Sequence, residues 1–495
     1  MQPPSPFITF HYSHCITWMR PRLRSKDLKS SSTCSMIWTG KREFLLAQAQ
    51  VCVILAIAYI GNTWPHSYPR NDNHNPHMFW IMNICLGIAA LVSFQHDVNG
   101  SARGVQLLSR NQTEEWKGWM QFAFIMYHYY RAYFVYNEIR VFVSAYVWMT
   151  GFGNFLYFDK KQDFSLDRMI SMWIRINYFP ILLSVFLSVP LELYYVVPLH
   201  TAGFFITMAT CYISYKLQEY TKLSAWNSNG MAIAIALAVH VVFYETPCVN
   251  FLKLFSDEYY FRFQADKYSA WVGMLSGLLW CQLKQYMQWV YAGESTRVGC
   301  MWLQRICGIL LLFVWYNAFG WMTDKYMYNP LHPYVFWMPV AGFLMLRNSS
   351  KYLTELHSTV LEFFGKITLE TYVLQFHLFM CNNVQHIPIV IPNSGPDGPL
   401  WIKTANMLLC GIIFVSTAVW ARKVTISTQT TVVELLDEVR KQMKGIRDGG
   451  DSDAELLLVD KDKQSFMEEE ESVTNRNGNG NETELVSVEL RQENV

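Results

Sequence analysis

The sequence predicts an all-α protein, a polytopic transmembrane helix bundle of about twelve spans with a disordered acidic C-terminal tail. Three observations carry this expectation. Only 16% of the 495 residues are charged, against about a quarter in soluble chains. Apolar runs of the length a bilayer crossing needs, roughly 17–25 residues, recur between residues 44 and 420. From residue 448 the chain turns polar and acidic, with "EEEE" at 468–471 and "NRNGNGN" at 475–481, and it lacks the apolar surface to fold.

Taken in order, residues 1–43 form a basic segment, expected on the cytosolic side. It lacks a signal-peptide pattern, so the first long apolar run reads as an uncleaved anchor. Residues 44–421 form the multi-pass domain, with candidate spans near 44–60, 78–94, 115–133, 141–157, 171–188, 200–215, 230–245, 269–283, 301–322, 335–346, 359–380 and 401–420. The 335–346 run is short, and Pro180 and Pro190 are positioned to kink or break the stretch 171–197. Residues 422–447 read as a short amphipathic helix, because Val432, Leu435, Leu436, Val439 and Met443 recur at helical spacing. Residues 448–495 are the tail.

Loop charges set an orientation. With both termini in the cytosol, the cytosolic loops hold twelve Lys and Arg and the opposite loops six. The sequons at Asn99, Asn111, Asn348 and Asn481 then face the cytosol and carry no glycan. Net charge is +1, which gives no bulk attraction for nucleic acid. The eleven cysteines are scattered with no C-x-x-C pair, so neither a disulfide framework nor a metal site is expected.

Ionisable side chains inside a bilayer cost several kcal/mol unless paired or wetted, so each is a functional candidate. The bland alternative is mutual pairing that locks helices together. In "LSRNQTEEWKGWMQFAFIMYHYYRAYFVYNEIR" (108–140), Glu114, Lys117 and Gln121 share a helix face, and so do His128 and Arg131. His128 lies about fifteen residues, roughly 22 Å, below the helix entry. Its imidazole can exchange a proton near neutral pH. Glu138 and Arg140 open the next helix, where Gly151 and Gly153 would allow close helix approach. In "FFGKITLETYVLQFHLFM" (363–380), Lys366 and Glu370 stand at pairing distance, and Glu370 shares a face with His377. In "DEYYFRFQADKYSAWVGM" (257–274), Arg262 and Asp266 lie among aromatics on the non-cytosolic side. In "YNPLHPYVFW" (328–337), His332 between two prolines reads as a rigid turn first and a site second.

The runs "LSRNQTEEWKGWMQ", "IRVFVSAYVWMTGFGNF", "KQDFSLDR", "EYYFRFQADKY", "LHPYVFW" and "FGKITLETYVLQFH", in this order over roughly residues 45–421, resemble one polytopic acyltransferase domain. It is shared by the fungal capsule O-acetylation protein, the plant reduced wall acetylation proteins and the animal sialic acid O-acetyltransferase. The resemblance implies a Golgi-type membrane, acetyl-CoA from the cytosol as donor, no metal, and O-acetylation of a lumenal glycan. Fungal and animal members carry a lumenal hydrolase-like domain ahead of the bundle. No G-D-S block precedes the first span here. The chain therefore looks closest to the plant type, with a separate lumenal transferase as a candidate partner. It lacks an N-terminal span expected of that type, so its start is incomplete or divergent.

On that resemblance, acetyl-CoA docks at the cytosolic rim. Its phosphates face Arg110 and Lys117, and its arm lies beside Glu114, Lys366 and Glu370. His128 serves as general base or acetyl carrier, and His377 as second proton carrier or oxyanion donor. Glu138, Arg140, Arg262 and Asp266 shape the acceptor side. Two other classes stay open at this point: a secondary transporter of a small molecule, and a non-catalytic scaffold subunit of an acetylation complex.

Overall fold

A computed structural model describes residues 32–96, 107–292 and 297–447, with side chains from residue 42 to residue 441. The chain runs α1 (Ser32–Asn62), β1 (Ser67–Pro69), α2 (Pro76–Val92), β2 (Phe94–His96), α3 (Arg110–Tyr129), α4 (Tyr136–Lys161), α5 (Leu166–Leu187), α6 (Val196–Thr221) and α7 (Ala225–Glu245). There follow α8 (Asp257–Ala265), α9 (Ser269–Leu278), α10 (Trp280–Tyr291), α11 (Val298–Trp315), α12 (Lys325–Val335), α13 (Trp337–Arg347), α14 (Lys351–Glu355), β3 (Leu356–Ser358), α15 (Thr359–Lys366), α16 (Thr368–Leu374), β4 (His386–Pro388) and α17 (Leu400–Arg447). One compact unit ends at Leu435 and a second comprises Leu436–Val495. Everything below concerns the first. The expected tail and most of the basic N-terminal segment lie outside the described residues, and α1 already begins at Ser32. The stretch 422–447 continues α17 without a break.

Seven helices among the described residues are long and apolar enough to cross a membrane, against about twelve expected from apolar runs. The difference has four causes. The run near 78–94 is α2, a helix of 17 residues that falls short of that length. The run near 115–133 is α3, whose first turns carry Glu114, Glu115 and Lys117. The runs near 269–283 and 335–346 become short helices, α9 and α13, of 10 and 11 residues. The run 359–380 breaks at Ile367 and again at Gln375–Phe379, which forms a π-turn. Pro180 is carried inside α5, whereas the chain turns at Ser188, with φ 53°, just before Pro190.

Local signals fix the helix that matters most. Ser109 and Gln112 form a reciprocal capping box at the start of α3, each bond 3.3 Å, satisfying backbone donors that a helix start leaves bare. Backbone contact then locks α3 to α15. A Cβ on Gly118 would overlap the Leu361 carbonyl oxygen, and one on Gly365 would overlap that of Glu114. This small-residue crossing replaces the hydrophobic drive that lipid cannot supply between helices. The expected close approach at Gly151 is present against Ala270 of α9, but Gly153 faces open space.

The largest apolar core lies among α1, α3, α5, the broken 359–380 segment and α17, with Ile54, Phe179, Leu183, Val373, Phe379 and Phe414 buried in it. Two antiparallel strand pairs tie distant loops. Tyr68 of β1 is in register with Ile387 of β4, and Gln95 of β2 with His357 of β3.

Candidate functional site

The polar side chains of the bundle fall into groups at the two ends of α3. At its start, Lys117 Nζ lies 2.7 Å from Glu114. Glu370, fully buried on α16, pairs with Arg175 of α5 at 3.1 Å. Arg422 of α17 acts electrostatically on Glu370, Glu114, Arg175 and Arg110. Of the residues expected at a donor site, the structure thus gathers Arg110, Glu114, Lys117 and Glu370. Lys366 does not pair with Glu370. It binds Glu362 at 2.5 Å and stays half-exposed. The cause is the break at Ile367, which places Lys366 and Glu370 on different helices, so i, i+4 geometry no longer applies between them. Neighbouring Glu115 is clamped by Arg347 at 3.2 and 3.3 Å and accepts from the Ser358 backbone N–H at 2.8 Å.

Midway along the bundle, Tyr146 donates to the Lys117 carbonyl at 2.7 Å, and His200 Nδ1 lies 2.5 Å from Thr150 Oγ1. Lys117 in turn acts electrostatically on His200. These side chains add polar groups on α4 and α6 beside the start of α3.

At the far end, His128 packs among Phe124, Tyr127 and Phe376, and neither ring nitrogen has a hydrogen-bond partner among the described residues. Arg70 and Arg262 lie within electrostatic range of it. Arg262 binds Glu258 at 2.6 Å and stacks over Tyr195 at 3.9 Å. Burial alone would lower the Arg262 pKa, but Tyr195 and Glu258 outweigh it and the value rises, so the guanidinium stays cationic. Arg131 leaves the face of His128, because α3 ends at Tyr129 and Arg131 adopts a left-handed φ of 49°.

Phe376 contacts both deep histidines, with centroid distances of 5.7 Å to His128 and 6.5 Å to His377. His377 is fully buried and both nitrogens are engaged, Nδ1 with Asn62 Oδ1 at 3.0 Å and Nε2 with the Tyr194 hydroxyl at 2.5 Å. The amide oxygen only accepts. Nδ1 therefore holds the proton and Tyr194 donates to Nε2.

Arg140 and Asp266 anchor a second buried cluster with His332, read from the sequence as a turn first and a site second, and with Ser144, which the sequence did not single out. Arg140 Nη2 is 2.7 Å from Asp266 Oδ2, and the Ser144 hydroxyl is 2.5 Å from Asp266 Oδ1. His332 Nε2 is 2.7 Å from Ser144 Oγ, and His332 Nδ1 is 2.8 Å from the Tyr328 hydroxyl. A carboxylate can only accept, so Ser144 spends its proton on Asp266, and His332 Nε2 donates to Ser144. The polarity is opposite to that of a serine nucleophile, whose proton a histidine must take. The cluster therefore locks α4, α12 and the end of α8 together and does not activate Ser144. Pro330 and Pro333 hold His332 inside α12, a fixed setting as the sequence suggests. Glu138 acts electrostatically on Tyr328 of this cluster and lines a cleft between α3, α4, α11 and α13. Among the described residues no three His, Cys, Asp or Glu side chains group as a metal site.

A helical membrane bundle with paired charges at one end of α3 and, at the other, an imidazole without a hydrogen-bond partner among the described residues defines a multi-pass membrane protein with buried polar groups in its core. The chain belongs to the acyltransferase family described as the 10 TM acyl transferase domain found in Cas1p, which it matches over residues 7–444. It is similar to the N-acetylneuraminate (7)9-O-acetyltransferase of Danio rerio, 29% identical over 343 residues, covering 64% of this chain and 42% of that protein. The chain thus spans less than half the length of this curated relative. No solved structure matches.

Proposed function

We propose that the chain is an integral-membrane O-acetyltransferase moving acetyl groups from cytosolic acetyl-CoA to a lumenal glycan or to a separate lumenal transferase, in a Golgi-type membrane. The observation that carries this reading is α3 itself, in a chain of the acyltransferase family. One end holds ion-paired Glu114 and Lys117, and the other presents His128, without a hydrogen-bonding partner among the described residues, near two arginines. Cations at the first end, Arg110, Lys117, Arg175 and Arg422, suit the phosphates of the coenzyme. Ion-paired Glu370 holds Arg175 against the bundle, and half-exposed Lys366 adds charge at the rim.

The acceptor oxygen attacks the thioester carbonyl while His128 takes its proton. The carbon–sulfur bond breaks, and the coenzyme thiolate recovers a proton from the imidazolium. Arg262, fixed by Glu258 and Tyr195, faces the developing oxyanion. His377 supports the site through Phe376 and Tyr194. The Arg140–Asp266 pair sets the acceptor side by holding α4 against α8.

Reconstituted protein in liposomes tests the reading. Labelled acetyl-CoA is supplied on the cytosolic side and a soluble glycan is sealed inside. Label on the enclosed glycan supports acetyl transfer. Uptake of an intact solute with no acetylation supports a transporter, and neither outcome supports a scaffold. Acetyl trapped on His128 without acceptor would make that residue the carrier instead of the base.

A further inference from the structure

A cleft of about 300 Å³ opens on the flank of the bundle between α3, α4, α11 and α13. Trp119, Phe142, Leu312, Val340 and Phe343 are among its walls, and Glu138 is the charged side chain in its lining. Glu138, Val141, Phe142 and Ala145 of α4 line it in succession, a run of roughly 10 Å along the helix axis. The cleft is therefore elongated along the span, with the carboxylate at one end. That end lies five residues into the span Tyr133–Lys161, at the depth of the membrane margin. The span containing α11, Val298–Gly320, is the least buried of the seven, at 11%, so this wall borders lipid.

Glu138 sits in the first turn of α4, where a backbone N–H offsets part of its charge. Its Oε2 is buried and has no hydrogen-bond partner among the described residues. A carboxylate so placed costs several kcal/mol unless something pairs with it. An apolar slot ending in a few fixed polar groups is the usual form of a small-molecule site. In a bilayer the walls call for a hydrocarbon chain, and the carboxylate at the margin calls for a cation.

We propose that this cleft is a specific lipid site. One acyl chain lies along α4, and a primary ammonium headgroup pairs with Glu138 after a small turn of the carboxylate. The assignment is independent of acetyl transfer, and the site is separate from His128.

Native mass spectrometry of the full chain released from nanodiscs holding equal phosphatidylethanolamine, phosphatidylcholine and phosphatidylglycerol tests it. The wild type should retain phosphatidylethanolamine over phosphatidylcholine about tenfold, the scale of a charge-assisted hydrogen bond. E138Q should retain lipid with no headgroup preference, E138D should keep the preference, and L312W, which narrows the mouth, should lose the bound lipid. Melting curves verify that each variant is folded. Equal retention of the lipids by wild type, preference for phosphatidylglycerol, an unchanged preference in E138Q, or a second protein copy in place of lipid would each overturn the proposal.

Discussion

Arg140 and Asp266, 126 residues apart in the chain, meet at 2.7 Å with side chains only 2% and 0% exposed. The pair is the keystone of a row that runs through Ser144 and His332 to Tyr328. Removing one partner leaves the other charged and buried, at a cost of about 3–5 kcal/mol. R140M should therefore lower the melting temperature in detergent sharply. The double variant R140M/D266L should recover part of the loss, because no charge is stranded. Equal melting of wild type and R140M would show that the pair contributes nothing.

The two deep histidines should behave differently. H128A removes an imidazole that makes no hydrogen bond among the described residues. It should lower acetyl transfer by about 10²- to 10⁴-fold with little change in melting. H377Q strips partners from Tyr194 and Asn62, at about 1–3 kcal/mol for the stranded groups, so melting should fall. Initial rates and melting curves on the same preparations separate these effects. Lost activity in H377Q with unchanged melting would give His377 a direct part in the chemistry.

Two alanine substitutions contrast a tight crossing with an open one. G118A drives a methyl group into the Leu361 carbonyl, and α3 and α15 must part. Overpacking of this kind costs about 1–3 kcal/mol. G153A meets nothing within 4 Å and should change stability by no more than about 0.5 kcal/mol. Thermal unfolding of the two variants side by side checks both values.

Asn348 should carry no glycan although it begins an N-x-[ST] sequon. Its side chain is buried and donates to the Leu344 carbonyl at 2.9 Å. Its own carbonyl accepts from Tyr291 and Gln304. N348Q should therefore leave electrophoretic mobility unchanged before and after glycosidase treatment.

The sequence makes some of this legible and hides the rest for physical reasons. The start of α3 carries a capping signal in Ser109 and Gln112, which a search for apolar runs passes over, so the expected span begins near 115. His128 and His377 are readable because polar residues in apolar runs are costly. Arg175 and Arg422 carry the same signal. They pass unnoticed because their partners, Glu370 and Glu114, lie on other helices, and only tertiary packing brings them together. The Lys366–Glu370 pairing misleads because helical spacing says nothing about a break between the two residues. Ser144 is a small hydroxyl in a helix, and its value depends on Asp266 and His332, both more than 120 residues away. The span count differs because a run of apolar residues measures length of sequence and takes no account of where the backbone turns.

The strand pair at Tyr68 and Ile387 bears on biogenesis. Trp64 beside it donates to the Ile389 carbonyl across 325 residues of chain. At roughly 5–20 residues per second on the ribosome, that separation corresponds to about 15–65 seconds. For that interval the first helix resides in the bilayer without the 375–389 segment and α17 that complete its packing. Insertion chaperones then have a long window of contact with it, and a stalled ribosome anywhere before residue 387 would release a chain that cannot close.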